Sequence, residues 1–276
     1  MTMKKINYLF GAILISSTIT LFSFIKGDSE EESQLVNEFI LDRSADKDDK
    51  NEGYLIRFQP DLGGYYDGSF QLVMTGRLMS MDMELGFWQE IVLVDSDQIE
   101  SKMGFQSAKM NISMMGETVY YDSDNPYANE GSKEIHAQMV KSFSADLGII
   151  MDSRGKVLKE YGWEDLSDDN QSNMMRGLTG MVYPEEPMNI GDSFDHKTEE
   201  RGLLMDATYT LDNVSKSEYI FSVNGELKEG PSSGKVTGEI VVYRECGMTK
   251  SAILNMNMST MGESIDMTVS FATFKK

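Results

Sequence analysis

Met79-Ser80-Met81-Asp82-Met83-Glu84-Leu85-Gly86-Phe87 is the stretch that decides the fold. Large apolar side chains hold every odd position, and small or charged ones hold every even position. Successive side chains of a β-strand point to opposite faces, so a period of two builds a strand with one apolar and one solvated side. The same alternation recurs at Ala108, Met110, Ile112 and Met114, at Leu254, Met256 and Met258, and at Ile265, Met267, Val269 and Phe271. Shorter cases are Ala207, Tyr209 and Leu211, then Tyr219, Phe221 and Val223. One strand changes phase. Ile99, Met103 and Phe105 are odd, Ala108 and Met110 even, and one extra residue near Gln106–Ser107 would swap the faces as a β-bulge. Alternation with one polar side belongs to antiparallel sheet. The expected fold class is therefore mainly β (α+β), with curved antiparallel sheets.

Helical spacing is confined to the middle of the chain. Ile135, Met139, Val140 and Phe143 predict a helix over 132–143, with Ser132 as its N-cap. A second candidate spans 164–181, where Gly177 and Gly180 weaken the pattern. Between them, Leu147–Met151 and Lys156–Tyr161 flank Asp152-Ser153-Arg154-Gly155, a hairpin whose glycine supplies the positive φ of the turn.

The chain also echoes itself. Residues 110–119 read Met-Asn-Ile-Ser-Met-Met-Gly-Glu-Thr-Val, and residues 256–265 read Met-Asn-Met-Ser-Thr-Met-Gly-Glu-Ser-Ile. Six of the ten positions are identical. Two readings compete: a duplicated β unit, or independent hairpins that share turn chemistry. The first gives two related β halves around a central helix-containing segment. The expected organisation is 1–27 a signal peptide or N-terminal anchor, 28–53 an acidic flexible tether, 54–131 the first β half, 132–188 a helix–hairpin–helix connector, and 189–276 the second β half.

The leader reading rests on Lys4 and Lys5, followed by residues 6–25 without a charge and then Lys26, Gly27 and an acidic run. A basic start, an apolar stretch and a polar boundary form a secretory signal. The apolar run also reaches the roughly 20 residues that span a bilayer, so cleavage and retention as an anchor both stand. Ser16, Ser17, Thr18, Thr20 and Ser23 favour cleavage. The chain is expected in the periplasm or cell envelope, touching membrane only through 6–25 if that segment is kept. Residues 28–53 hold ten acids and three bases, too polar to build a core.

The 276 residues carry a net charge of −20, and Lys4, Lys5 and Lys26 are the only charged groups before Asp28. So acidic a body opposes nucleic acid and anionic surfaces. One cysteine, Cys246, excludes an internal disulfide and reads as a buried small hydrophobe.

Asp152-Ser-Arg-Gly-Lys-Val-Leu, followed by Tyr183-Pro-Glu-Glu-Pro-Met-Asn-Ile-Gly-Asp-Ser-Phe194, resembles uncharacterised exported β-rich proteins of bacteria. In those a D-x-x-G-x-V hairpin precedes a P-x-x-x-[VI]-x-[VI]-G-D-[ST]-[WF] entry into a second β half. This chain has Met188 and Ile190 at the apolar sites and Phe194 rather than tryptophan. Such proteins are similar in layout to periplasmic lipoprotein carriers of the LolA and LolB kind. That similarity implies a curved sheet wrapped on a helix and able to hold acyl chains, and it brings no active-site residues.

The 22 methionines sharpen that expectation. Methionine is unbranched and polarizable, so it lines surfaces that accept varied apolar ligands. The candidate apolar face comprises Met79, Met81, Met83, Phe87, Met110, Ile112, Met114, Met256, Met258, Met267 and Phe271. The same residues in a plain packed core are the competing reading at each position. Thioether pairs such as Met79-x-Met81 could attract Cu(I), but no histidine or cysteine cluster accompanies them, and no metal site is expected.

Catalysis finds little support. His136 and His196 lie too far apart for a zinc motif, and no nucleophile elbow or phosphate-binding loop occurs. His136 is expected at the surface and His196 beside carboxylates. Asp122-Ser123-Asp124-Asn125 opens like a calcium loop, but Pro126 takes the fifth position and no glycine the sixth. No cofactor is implied. The expectation is an exported, non-enzymatic envelope protein that binds an apolar ligand, an acyl chain or a lipidated partner on a methionine-lined curved sheet. The alternatives are a structural or protein-interaction module, with an aromatic patch around Phe87 and Trp88, and a hydrolase assembled from scattered acids.

Overall fold

The computed structural model describes residues 53–96, 98–162, 181–200, 203–229, 232–260 and 263–276. The leader, the acidic tether and most of the second candidate helix lie outside these residues. Alternation becomes strand wherever the sequence carries it. The elements are β1 (Tyr65–Thr75), β2 (Met79–Val94), β3 (Ile99–Met114), β4 (Glu117–Asp122), α1 (Glu130–Ser144), β5 (Leu147–Met151) and β6 (Val157–Tyr161). After the connector come β7 (Ser193–Glu200), β8 (Leu203–Val214), β9 (Glu218–Glu229), β10 (Ser232–Tyr243), β11 (Thr249–Thr260) and β12 (Glu263–Lys275).

All twelve strands join one antiparallel sheet in the order β6-β5-β3-β2-β1-β12-β11-β10-β9-β8-β7, with β4 a branch on β3. The two halves do not stack as separate sheets. They meet edge to edge in the middle, where β1 pairs with β12 from Tyr66–Lys275 to Thr75–Asp266. The helix and hairpin of the connector are tied to the first half. β5 pairs with β3 through Ile99–Met103, and β4 takes the other end of β3 through Lys109–Met114.

The predicted bulge is present. Gly86 pairs with Ser107 and Phe87 with Phe105, leaving Gln106 as the extra residue. Before it Met103 and Phe105 point inward, after it Ala108 and Met110 do, and all four are buried. The echoed segments are the same hairpin in two places. Met110, Asn111, Ile112, Ser113 and Met114 pair with Tyr121 back to Glu117, and Met256 through Thr260 pair with Met267 back to Glu263 in the same register.

The helix begins two residues before the expected start. Its N-cap is Asn129, whose side-chain oxygen accepts from the Ser132 amide at 2.9 Å. Ser132 is not the cap. It is buried inside the first turn and donates its hydroxyl to the Tyr120 carbonyl at 2.6 Å, binding α1 to β4. Glu130 in the first turn and Lys141 in the last suit the helix dipole. Met139 and Phe143 face the sheet, where Phe143 meets Phe105 edge-on at 6.4 Å.

Candidate functional site

The candidate residues are gathered on one face in cross-strand rows. Strand pairing aligns Ile112, Met81, Met74, Met267, Met256 and Val236 across six strands. The next row runs Met110, Met83, Leu72, Val269 and Leu254. Met79 pairs with Met114, and Met258 with Ile265, towards one rim. Phe87 and Phe271 stack at 5.6 Å, with the Phe87 ring lying over Gly68, where an added Cβ would sit 2.0 Å from it.

Cover over these rows is uneven. On β1 and β2, Phe70, Leu72, Met74, Met81, Met83, Leu85 and Phe87 expose between 0 and 4 % of their surface. That is a packed core, too tightly covered to be the wall of an open cavity. Met110, Ile112, Met114, Met256, Met258 and Met267 are buried as well, while Met79 and Phe271 are half-buried. The partly covered strip lies on β11 and β12, where Ala252, Leu254, Ile265 and Phe271 pack against the core with part of their surface open.

Met74 and Leu72 complete the rows and belong to the face, though neither stood out in the sequence. The signal was Phe70-Gln71-Leu72-Val73-Met74, in which Val73 on the outer face hides the alternation.

Phe87 and Trp88 do not form one patch. Phe87 points into the core and Trp88 to the outer face, as strand alternation requires. The outer neighbour of Trp88 is Tyr65, parallel to it within 7° at 6.1 Å, and Phe274, which is 61 % exposed, lies on the same face one strand beyond β1. Trp88 and Phe274 are both register partners of Asp67. The Asp67 carboxylate pairs with Lys276 and accepts from Gln106 at 3.2 Å, which holds it below the ordinary carboxylate range.

The histidines correct both expectations. His136 is half-buried rather than free on the surface. Its Nδ1 shares a 3.1 Å hydrogen bond with the hydroxyl of buried Tyr121, and Tyr127 meets its ring edge-on at 5.4 Å. His196 does not sit among carboxylates. Neighbouring Asp195 points to the outer face and accepts from Thr208, while the His196 ring turns in towards Tyr209 at 6.4 Å. Its Nε2 is buried without a hydrogen-bond partner, and burial lowers its proton affinity.

Asp67 and Glu226 are both held low by lysines, Lys276 and Lys228, the reverse of what a general acid needs. The Asp122 carboxylate is engaged by its own turn, accepting from the Asp124 amide at 2.9 Å and the Tyr120 hydroxyl at 3.2 Å. Among the described residues no three histidine, cysteine or acidic side chains converge as metal ligands. Cys246 is buried, and burial raises its thiol pKa, so it has the character of a core residue.

Four segments distant in sequence lock together near Cys246. Tyr54 and Met188 exchange backbone bonds at 2.7 and 3.0 Å. The Phe58 amide donates to Ser153 and the Gln59 amide to Cys246. The Arg57 guanidinium donates to the Pro184 carbonyl at 2.8 Å and to the Glu185 carbonyl at 2.6 Å. Arg154 donates to the Tyr183 carbonyl at 2.9 Å and pairs with Glu185. The Asp152–Gly155 turn and the Tyr183–Phe194 entry, the two motifs that carried the resemblance, are thus partners in space.

No helix among the described residues is long and apolar enough to cross a membrane. No family model matches the chain, and no curated protein matches it. Among solved structures, a Bacteroides fragilis protein provisionally described as exported, with a YmcC-like fold, aligns over 80 % of this chain and 99 % of its own at 9 % identity, with a TM-score of 0.29. A second, from work on the asymmetric conductivity of engineered proteins, aligns over 78 % and 99 % at 8 % identity, with a TM-score of 0.17.

Proposed function

We propose that this chain is an exported, non-enzymatic protein of the cell envelope that holds an acyl chain, free or on a lipidated partner, against the inner face of its sheet. One observation carries the reading: the gradient of cover along that face. The inward side chains from Phe70 to Met74 on β1 and from Met81 to Phe87 on β2 are sealed, whereas Ala252, Leu254, Ile265 and Phe271 on β11 and β12 are only half-covered. That strip runs straight into Met256, Met258 and Met267. Unbranched thioether side chains repack at little cost, so methionines beside an uncovered strip can yield to a hydrocarbon chain. Export rests on the leader-like residues 1–27.

Titration of the delipidated protein with a fluorescent fatty acid tests it. Saturable binding is expected, and Leu254→Glu, at a half-buried position that tolerates the carboxylate, should weaken it at least tenfold. Absence of saturable binding sinks the reading.

A second reading, an interaction module of the envelope, is favoured by the outer patch of Tyr65, Trp88 and Phe274. A half-buried Tyr65–Trp88 pair with an exposed Phe274 on the same polar sheet face suits a protein contact. A photo-crosslinker at position 274 should capture one envelope protein reproducibly, and a crosslinker at Ile253 on the same outer face should not.

A further inference from the structure

We propose that the two adjacent hairpin tips carrying Leu78 and Met115 dock on a lipid bilayer with neutral headgroups. The tips lie side by side because β2 and β3 pair at Met79 and Met114, and the Met115 amide donates to the Leu78 carbonyl at 2.9 Å. Both side chains stand in solvent, Leu78 at 51 % and Met115 at 71 % exposure.

Exposure alone would be ordinary. The backbone makes it informative. Met115 has φ 52 and is the one non-glycine residue with positive φ among the described residues, followed by Gly116 at φ 88. A two-residue turn with both central residues left-handed calls for asparagine or glycine at the first position. Methionine there strains the backbone, and its exposed side chain recovers little by packing. A local rule broken without a local gain marks a surface kept for another purpose.

Shape and charge choose the occupant. The tips are hairpin turns at one rim of the sheet, and Leu78 and Met115 stand out from them into solvent. Apolar side chains held out at a rim suit a deformable medium and can enter the boundary between headgroups and acyl chains. The net charge of −20 opposes an anionic surface. Exposed Arg77 stands in the same turn as Leu78 and can meet the phosphate of a zwitterionic headgroup. Docking at this rim is independent of whether the inner face holds an acyl chain.

The test reads the tip itself, so the apolar segment 6–25 of the full chain does not confuse it. Met115→Cys takes a thiol-reactive, environment-sensitive dye, while Cys246 at 4 % exposure stays unlabelled in the folded protein. A control carries the dye at Leu62→Cys, exposed at 67 % before the start of β1. The eleven residues of β1 put that position about 35 Å from the rim. With phosphatidylcholine vesicles containing brominated acyl chains and no added fatty acid, quenching is expected at 115 and not at 62. Leu78→Ser in the labelled protein should reduce the quenching at least threefold. Unlabelled Met115→Asn should melt higher than the parent, since asparagine eases the turn, and yet reduce dye transfer into the bilayer from a probe at position 78. No quenching at 115, or equal quenching at 115 and 62, overturns the proposal. Stronger quenching with phosphatidylglycerol than with phosphatidylcholine overturns the assignment to a neutral surface.

Discussion

The Tyr183 hydroxyl donates to the Gly247 carbonyl at 2.6 Å across 64 residues of sequence, and the bond is buried. It fastens the connector between the halves to the β10–β11 turn. Gly247 itself has φ 67, and a Cβ there would fall 1.9 Å from the Arg57 carbonyl oxygen. Tyr183→Phe strands a buried acceptor, a loss of about 1–3 kcal/mol. Gly247→Ala adds the left-handed backbone penalty to a collision with main chain and should cost more. Urea melts of both variants check the order. If the tyrosine variant is neutral, the four-segment lock does not contribute to stability. The Cys246 thiol offers a second readout, because its reaction with a disulfide reagent should accelerate in both variants as the lock loosens.

Asn129 and Ser132 divide the work of starting α1. Asn129 satisfies the Ser132 amide, and the Ser132 hydroxyl satisfies the Tyr120 carbonyl. Asn129→Ala should cost about 1 kcal/mol. Ser132→Ala leaves a part-buried carbonyl without its hydroxyl donor and should cost at least as much. Thermal melts of the two single variants decide it. A Ser132→Ala variant milder than Asn129→Ala would mean that the α1–β4 contact carries little.

What the sequence disclosed and what it withheld have the same physical root. Met79 to Phe87 and the phase change at Gln106 were legible because side-chain direction in a strand is a local property. The cap was misassigned by three residues because Asn129 and Ser132 both suit an N-cap, and only the course of β4 shows which hydroxyl is already taken. The joining of the two halves between β1 and β12 was not legible. Alternation states which face a residue prefers and is silent on which strand lies beside it, and Phe70 pairs with Phe271, far along the chain. For the same reason the sequence assembled a methionine face without showing that its β1–β2 part is sealed and its β11–β12 part half-open. The strain at Met115 escaped as well, since Met-Gly does not announce a left-handed pair as Asn-Gly would.

His196 makes stability sensitive to mild acid. Its Nε2 is buried without a partner beside Tyr209, and burial depresses its pKa below the ordinary 6.5. The folded state therefore prefers the neutral ring, while the unfolded chain takes up a proton as pH falls through about 6.5. The contribution is fully present at about pH 7.5 and is lost as pH drops from 6.5 towards the lower folded value. Asp67 and Glu226 act in a different window, since carboxylates held low lose their stabilising effect only as pH falls below the ordinary carboxylate range. Between about pH 7.5 and 5.5 His196 should therefore contribute a slope that these two carboxylates do not. His196→Leu keeps an inward-facing side chain without the titration and should flatten the urea midpoint over that range. A slope unchanged in the variant would show that another group takes up the proton. The edge position of β7 makes the effect local, so amide exchange of β7 and β8 should quicken in mild acid before that of β1 and β2.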